Sequence, residues 1–243
     1  MDWRFALFVV GTVALVGFVG LNAYLTADLL RRVRLPYNPL LHPTELVARF
    51  GFIAACLGLG WLSRLSPAQL GWSEPSLLVD LAVGLGAAAV LQEINHQGTA
   101  WAIKVWGRQI YSPTILQAIL PRDRNQWIMA PLALLPAALA EELLFRSLVV
   151  GGFSVFASPW LLALAFSAAF GLAHLPQGRL GVAGAAILGF FLSLLFIWRW
   201  SIVACTVAHF GVNFVQLVRA RDEERWLAQS PGAEASPGTG SPE

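Results

Sequence analysis

About seven long apolar runs, separated by short polar breaks, constrain this 243-residue chain more than any other feature. They fall near residues 5–27, 45–63, 77–94, 127–150, 159–175, 180–198 and 200–218. At about 1.5 Å of rise per residue, roughly 20 helical residues cross the hydrocarbon of a bilayer, and each run is that long or nearly so. The expected fold is therefore an all-α polytopic transmembrane helix bundle rather than a soluble α/β domain of the same length. Composition agrees, because only 12% of residues are charged and 57% are hydrophobic, where a soluble domain carries about 25% charged residues. A net charge of +2 is too small to imply a nucleic-acid partner. The expected partner is the lipid bilayer, and the expected location is that of an integral multi-pass protein of the cell membrane.

Arginine and lysine placement predicts orientation. Arg31, Arg32 and Arg34 follow the first run; Lys104, Arg108, Arg122 and Arg124 lie between the third and fourth; Arg219, Arg221 and Arg225 follow the seventh. The opposite loops carry chiefly Arg64 and Arg199. The positive-inside bias then places the N-terminus outside and the C-terminus in the cytoplasm. The first run has no obvious small-residue cleavage site, so it reads as a retained span.

Four segments are expected: a three-span region over 1–95, a connector over 96–126, a four-span core over 127–218 and a tail over 219–243. The connector is too polar to span. Trp101, Trp106, Tyr111 and Trp127, interleaved with Lys104 and Arg108, suit an interfacial amphipathic helix at the cytoplasmic headgroups. From about 228 the Ser, Pro and Gly content predicts disorder. Cys56 and Cys205 lie within expected spans, have no pairing motif, and read as small buried hydrophobes.

Against that background three groups of polar residues stand out. An ionisable side chain inside a span costs about 2.5–3.5 kcal/mol on insertion scales, so by default it indicates function. The first group is Glu141-Glu142-Leu-Leu-Phe-Arg146, in the fourth run. Glu142 and Arg146 are i, i+4 neighbours able to pair along a helix. Glu141 points about 100° away, without an in-helix cation, and a desolvated carboxylate there suits a general base. Pro131 and Pro136 precede it. Pro136 removes one backbone hydrogen bond just before Glu141, which either opens a polar notch or is simply a tolerated transmembrane proline.

The second group is Phe170-Gly-Leu-Ala-His174, where Ser167, Phe170, Gly171 and His174 share one helical face. The third is His209-Phe-Gly-Val-Asn213, again an i, i+4 pair. Histidine binds metal, orients water or donates a proton. The asparagine amide can donate to an oxyanion or simply bond another helix. Counted along the helices, Glu141 and His174 lie about 22 and 27 Å from the outer turn near residue 156, and His209 and Asn213 about 14 and 20 Å from the start of their run. Those depths are compatible with one cavity in the cytoplasmic half. His42 and His96 have no partners at catalytic spacing and stand outside this site.

Ordered along the chain, the three groups resemble the CPBP family of intramembrane proteases, which includes the eukaryotic prenyl-protein CAAX endopeptidase and bacterial Abi-type bacteriocin-immunity proteins. The family pattern is Glu-Glu-x-x-x-Arg, Phe-x-x-x-His and His-x-x-x-Asn, and the run Trp200-Ser-Ile-Val-Ala204 is similar to the family's approach to its third motif. The resemblance covers about 127–218. It implies an endopeptidase in which Glu141 activates water, His174 helps to hold it, and His209 with Asn213 stabilises the oxyanion. Glu142, Arg146 and Phe170 would support them. It also implies a membrane-associated peptide or protein substrate, lipidated in some family members. No His-Glu-x-x-His zinc motif occurs. Catalysis without a metal is slightly favoured, with a zinc-type ion on Glu141, His174 and His209 as the alternative. Two other functions fit the composition: a non-catalytic immunity or scaffold protein of the same fold, and a proton-coupled transporter.

Overall fold

The computed structural model describes residues 2–33, 35–73, 76–110, 112 and 114–229. Arg34, Tyr111 and the tail beyond Gln229, including nearly all of the segment expected to be disordered, lie outside the described residues. The described chain is all-helical: α1 (Trp3–Arg32), α2 (Pro43–Ser63), α3 (Leu77–Trp106), α4 (Thr114–Ile119), α5 (Arg124–Glu142), α6 (Pro159–Leu172), α7 (Gly178–Arg199) and α8 (Ile202–Gln229). Six of its helical segments are long and apolar enough to cross a membrane. The protein is an integral multi-pass membrane protein.

Local chemistry sets the ends of these helices. The Asp123 carboxylate accepts from the amide of Gln126 at 2.9 Å, and the Gln126 side chain reaches back to the amide of Arg122, so α5 starts on a reciprocal cap. Pro43 and Pro159 open α2 and α6 at positions where a missing N–H costs nothing. Helix α3 runs past the expected boundary at 94 to Trp106, so the first part of the connector prolongs a span. Trp101 and Trp106 pack edge to face on that extension, 5.2 Å between ring centroids. The turn between α7 and α8 is pinned by Ile202 N–H to the carbonyl of Gly71 (2.9 Å). Gly71 has φ +72°, and a Cβ there would lie 2.5 Å from the Phe196 ring. Only glycine satisfies both conditions.

The fifth expected span is the one that differs. Helix α6 has 14 residues, about 21 Å at 1.5 Å per residue and short of the hydrocarbon thickness. It stops because the ring of His174 takes the carbonyl of Phe170 (2.8 Å) and Pro176 follows in the next turn. His174 is thereby delivered inside the bundle rather than at its surface.

Helix directions follow from the contacts. Glu141 meets His174, Phe145 meets Phe170 and Phe153 meets Phe166, so α6 runs antiparallel to α5 and its continuation. Arg221 lies over Trp127 while His209 meets Glu142, so α8 also opposes α5. Helix α3, in contrast, runs parallel to α8. Gly84 abuts Ala204 and Val207, Ala88 abuts Gly211, and Glu93 pairs with Arg219 at 3.6 Å. Small residues along that seam let the two backbones approach closely, and α3 with α8 is the most extensive helix pairing in the bundle. The largest buried cluster lies between these elements, with Phe8, Leu144, Leu148, Leu192 and Phe196 at its centre.

Candidate active site

The fourth span is not α-helical throughout. Helix α5 passes through both Pro131 and Pro136 without a break, and the helix widens only after Glu142, into a π-helix from Leu143 to Gly151. Pro136 therefore does not end the α-helix; Arg49 of α2 donates to the nearby carbonyl of Ala133 at 3.4 Å. π-Helical turns are rare, and those inserted in α-helices frequently lie at functional sites. Here the transition falls directly behind the two glutamates.

Glu142 is fully buried. Its Oε1 accepts from Arg146 Nη1 at 3.0 Å, the expected i, i+4 pair, and from His209 Nδ1 at 2.7 Å. Arg146 is itself buried, donates through Nη2 to the carbonyl of Gly189 (2.9 Å) and lies 4.6 Å above the Phe170 ring. Phe170 is the hub of the group. Its ring centroid is 5.1 Å from Phe145, 4.7 Å from His174 and 5.8 Å from His209.

The hydrogen bonds determine both histidine tautomers. A backbone carbonyl only accepts, so His174 Nδ1 carries the proton in its bond to Phe170. A carboxylate held by Arg146 likewise only accepts, so His209 Nδ1 carries the proton toward Glu142. In each neutral ring Nε2 is then a bare lone pair. Both Nε2 atoms face the same atom, Oε2 of Glu141, at 3.9 Å from His174 and 3.8 Å from His209. That oxygen is buried and has no hydrogen-bond partner among the described residues, although the Glu141 side chain as a whole is 37% exposed. Three acceptors thus converge with no donor among them. Such a cluster is satisfied by a species that supplies hydrogens or positive charge: a water, a protonated ring or a cation.

Glu141, His174 and His209 are chemically a zinc donor set, with Glu142 and the Phe170 carbonyl orienting the rings from behind. Their spacing does not match one. Bonds of 2.0–2.1 Å at a tetrahedral zinc put donors about 3.3 Å apart, less than the separations observed, and no group of three His, Cys, Asp or Glu side chains is arranged to hold a metal among the described residues.

Glu141, His174, His209 and Asn213 all line one cavity of about 300 Å³, and Leu134, Ala185, Leu188 and Leu217 supply apolar wall. Of the residues singled out on sequence, Glu142, Arg146 and Phe170 lie behind the cavity wall rather than on it. His96, set aside on sequence, lines the cavity together with Gln92, Asn95 and Thr99 of α3. Those four recur at i, i+3, i+4 and i+7, a polar stripe within an apolar span. That spacing was the available signal.

Comparison with known proteins adds one match. Residues 123–215 match the family described as Type II CAAX prenyl endopeptidase Rce1-like. Neither the curated proteins nor the solved structures compared with the chain include a match. The matched segment opens at the cap of α5 and closes two residues beyond Asn213, so it contains Glu141, Glu142, Arg146, Phe170, His174, His209 and Asn213. Across the part of the chain that builds this site, the sequence is therefore similar to that of the Rce1-like CAAX prenyl endopeptidases.

Proposed function

We propose that this protein is an intramembrane endopeptidase that hydrolyses a peptide bond of a membrane-associated peptide or protein, lipidated substrates included, with Glu141 as general base. The observation that carries this reading is the convergence of both histidine Nε2 atoms on the buried Oε2 of Glu141, beside a cavity. A water in that convergence donates one hydrogen to Glu141 and the other to His174. Both lone pairs of its oxygen are unused, and one is free to attack a carbonyl carbon presented from the cavity. Glu141 takes the proton as the water oxygen bonds to carbon.

His209 serves the opposite side of the reaction. Glu142 orients the His209 ring through Nδ1, as the buried carboxylate orients the imidazole in hydrolytic triads. The proton that Glu141 takes from water passes to His209 Nε2, after which Nε2–H donates to the oxyanion, helped by the Asn213 amide one turn along α8, and gives that proton to the leaving amine as the intermediate collapses. Arg146 and Phe170 position Glu142 and the two rings. If the basic clusters face the cytoplasm, cleavage occurs in the cytoplasmic half of the bilayer.

The test uses purified protein in liposomes and an internally quenched peptide library, with and without chelator, beside Glu141→Ala. Cleavage by the wild type that is lost in the folded Glu141→Ala variant is expected. Full cleavage by that variant overturns the assignment. Cleavage abolished by chelator and restored by zinc would instead assign Glu141, His174 and His209 as metal ligands.

A further inference from the structure

The polar stripe of α3 has no role in the chemistry above, yet it is held at the same cavity. Gln92 is the informative member. Its side chain is only 5% exposed, in the middle of a membrane-spanning helix. Its Oε1 is buried and has no hydrogen-bond partner among the described residues. A buried amide oxygen without a donor is unfavourable, and natural proteins rarely leave one unless something binds there.

The register of the helix pair specifies what Gln92 faces. Helices α3 and α8 run parallel, with Ala88 against Gly211 and Glu93 against Arg219. Gln92, one turn beyond Ala88, is therefore level with the turn Asn213–Gln216, directly along α8 from His209. Gln92, Asn95, Asn213 and Gln216 all line the cavity. Asn95 also approaches α7: its Oδ1 is 3.3 Å from where a Cβ on Gly184 would stand. The cavity thus continues from Glu141 and the histidines into a section walled by carboxamides. A carboxamide offers one acceptor and two donors in a plane, the pattern complementary to a peptide unit.

We propose that Gln92 is a substrate-positioning residue, its Oε1 accepting a main-chain N–H of an extended peptide that lies along α3 and α8. The inference rests on the protease reading and names its substrate class: a segment whose backbone donors are not already used within a helix. A helical segment offers no free N–H to Gln92 except in its first turn. Selection at this position is for unwound chain, independent of side-chain sequence.

The test takes the best-cleaved member of the peptide library in liposomes and compares the wild type with Gln92→Met, which is nearly isosteric. Loss of one hydrogen bond is expected to raise KM about tenfold with kcat within about twofold, since the contact is made equally before and during reaction. An ester scan of the same peptide, replacing one backbone N–H at a time by oxygen, locates the partner. One ester position raises KM in the wild type and has no further effect in Gln92→Met. If Gln92→Met fails to fold, Gln92→Asn, with the carboxamide drawn back by one methylene, gives the same rise in KM. Equal KM in the wild type and a folded Gln92 variant, or ester and variant effects that simply multiply, overturns the role of Gln92 and leaves the protease reading intact. A wild type that cleaves no library peptide overturns the protease reading itself, and this inference with it.

Discussion

His209 turns its two ring nitrogens toward adjacent residues of one helix. Its Nδ1 is 2.7 Å from Oε1 of Glu142, and its Nε2 is 3.8 Å from Oε2 of Glu141. Consecutive helical residues diverge by about 100°, which argues against a shared task. They share one here because the imidazole itself spans the divergence, presenting one nitrogen to each carboxylate. The first glutamate is left open to the cavity, and the second is sealed behind the ring with Arg146.

Glu142→Gln tests the sealed side. The substitution keeps the shape and an acceptor for His209 but removes the negative charge beside its ring. A fall in kcat of about 10²-fold or more, with little change in KM, is expected from single-turnover cleavage, the lower range for a general acid–base group. An unchanged kcat would remove Glu142 from the catalytic apparatus. Glu142→Ala is a different experiment: it strands a buried Arg146, at about 3–5 kcal/mol, and is expected to lower the thermal midpoint sharply.

Glu141→Gln separates activity from stability in the opposite direction. The three converging acceptors are unfavourable in the resting protein, and an amide N–H in place of Oε2 can donate to a histidine Nε2. Activity is expected to fall by about 10²–10⁴-fold while the melting temperature in detergent stays equal or rises, the trade-off typical of active sites. A marked loss of stability would mean that Glu141 holds the bundle together.

Gly189→Ala probes the support beneath the histidines. A Cβ at Gly189 would stand 2.8 Å from Cδ1 of Phe170, the ring that touches Arg146, His174 and His209. Overpacking of this kind costs about 1–3 kcal/mol. Both a lower melting temperature and a lower kcat are expected, because the displaced ring carries His174 and His209 with it. A stability loss with unaltered kcat would show that Phe170 only fills space.

Asp80 and Arg199 form an ion pair remote from the cavity, with Arg199 Nε and Nη2 at 2.9 and 2.8 Å from Oδ1 of a fully buried Asp80. Asp80→Ala leaves the guanidinium without that partner near the end of α7. A destabilisation of about 3–5 kcal/mol is expected for a buried pair, toward the low end because Arg199 is 23% exposed. Protein that remains folded should cleave at the wild-type kcat. A changed kcat would connect this end of α3 to the site.

The apolar runs and the three motifs were legible because lipid enforces them. A span must be apolar over its length, so Glu141, Glu142, Arg146, His174, His209 and Asn213 stand out wherever they occur. Helical spacing also revealed the Glu142–Arg146 pair. Spacing within one helix says nothing of which neighbour a side chain meets. That Glu142 also holds His209 depends on the antiparallel approach of α5 and α8. That α6 ends early to turn His174 inward depends on its own ring capping the helix.

The stripe Gln92, Asn95, His96 and Thr99 shows the division most sharply. Its periodicity is written in the chain, but a polar stripe faces a lumen, a lipid headgroup or another helix with the same spacing. The small residues Gly84, Ala88 and Gly211 let α3 and α8 pack closely in parallel, and that packing rotates the stripe onto the cavity. The sequence alone determined a membrane bundle and the chemical types of its candidate site residues, because hydrophobic burial and the cost of buried charge act residue by residue. Only the tertiary structure decided which nitrogen faces which oxygen, because hydrogen-bond geometry is set between helices.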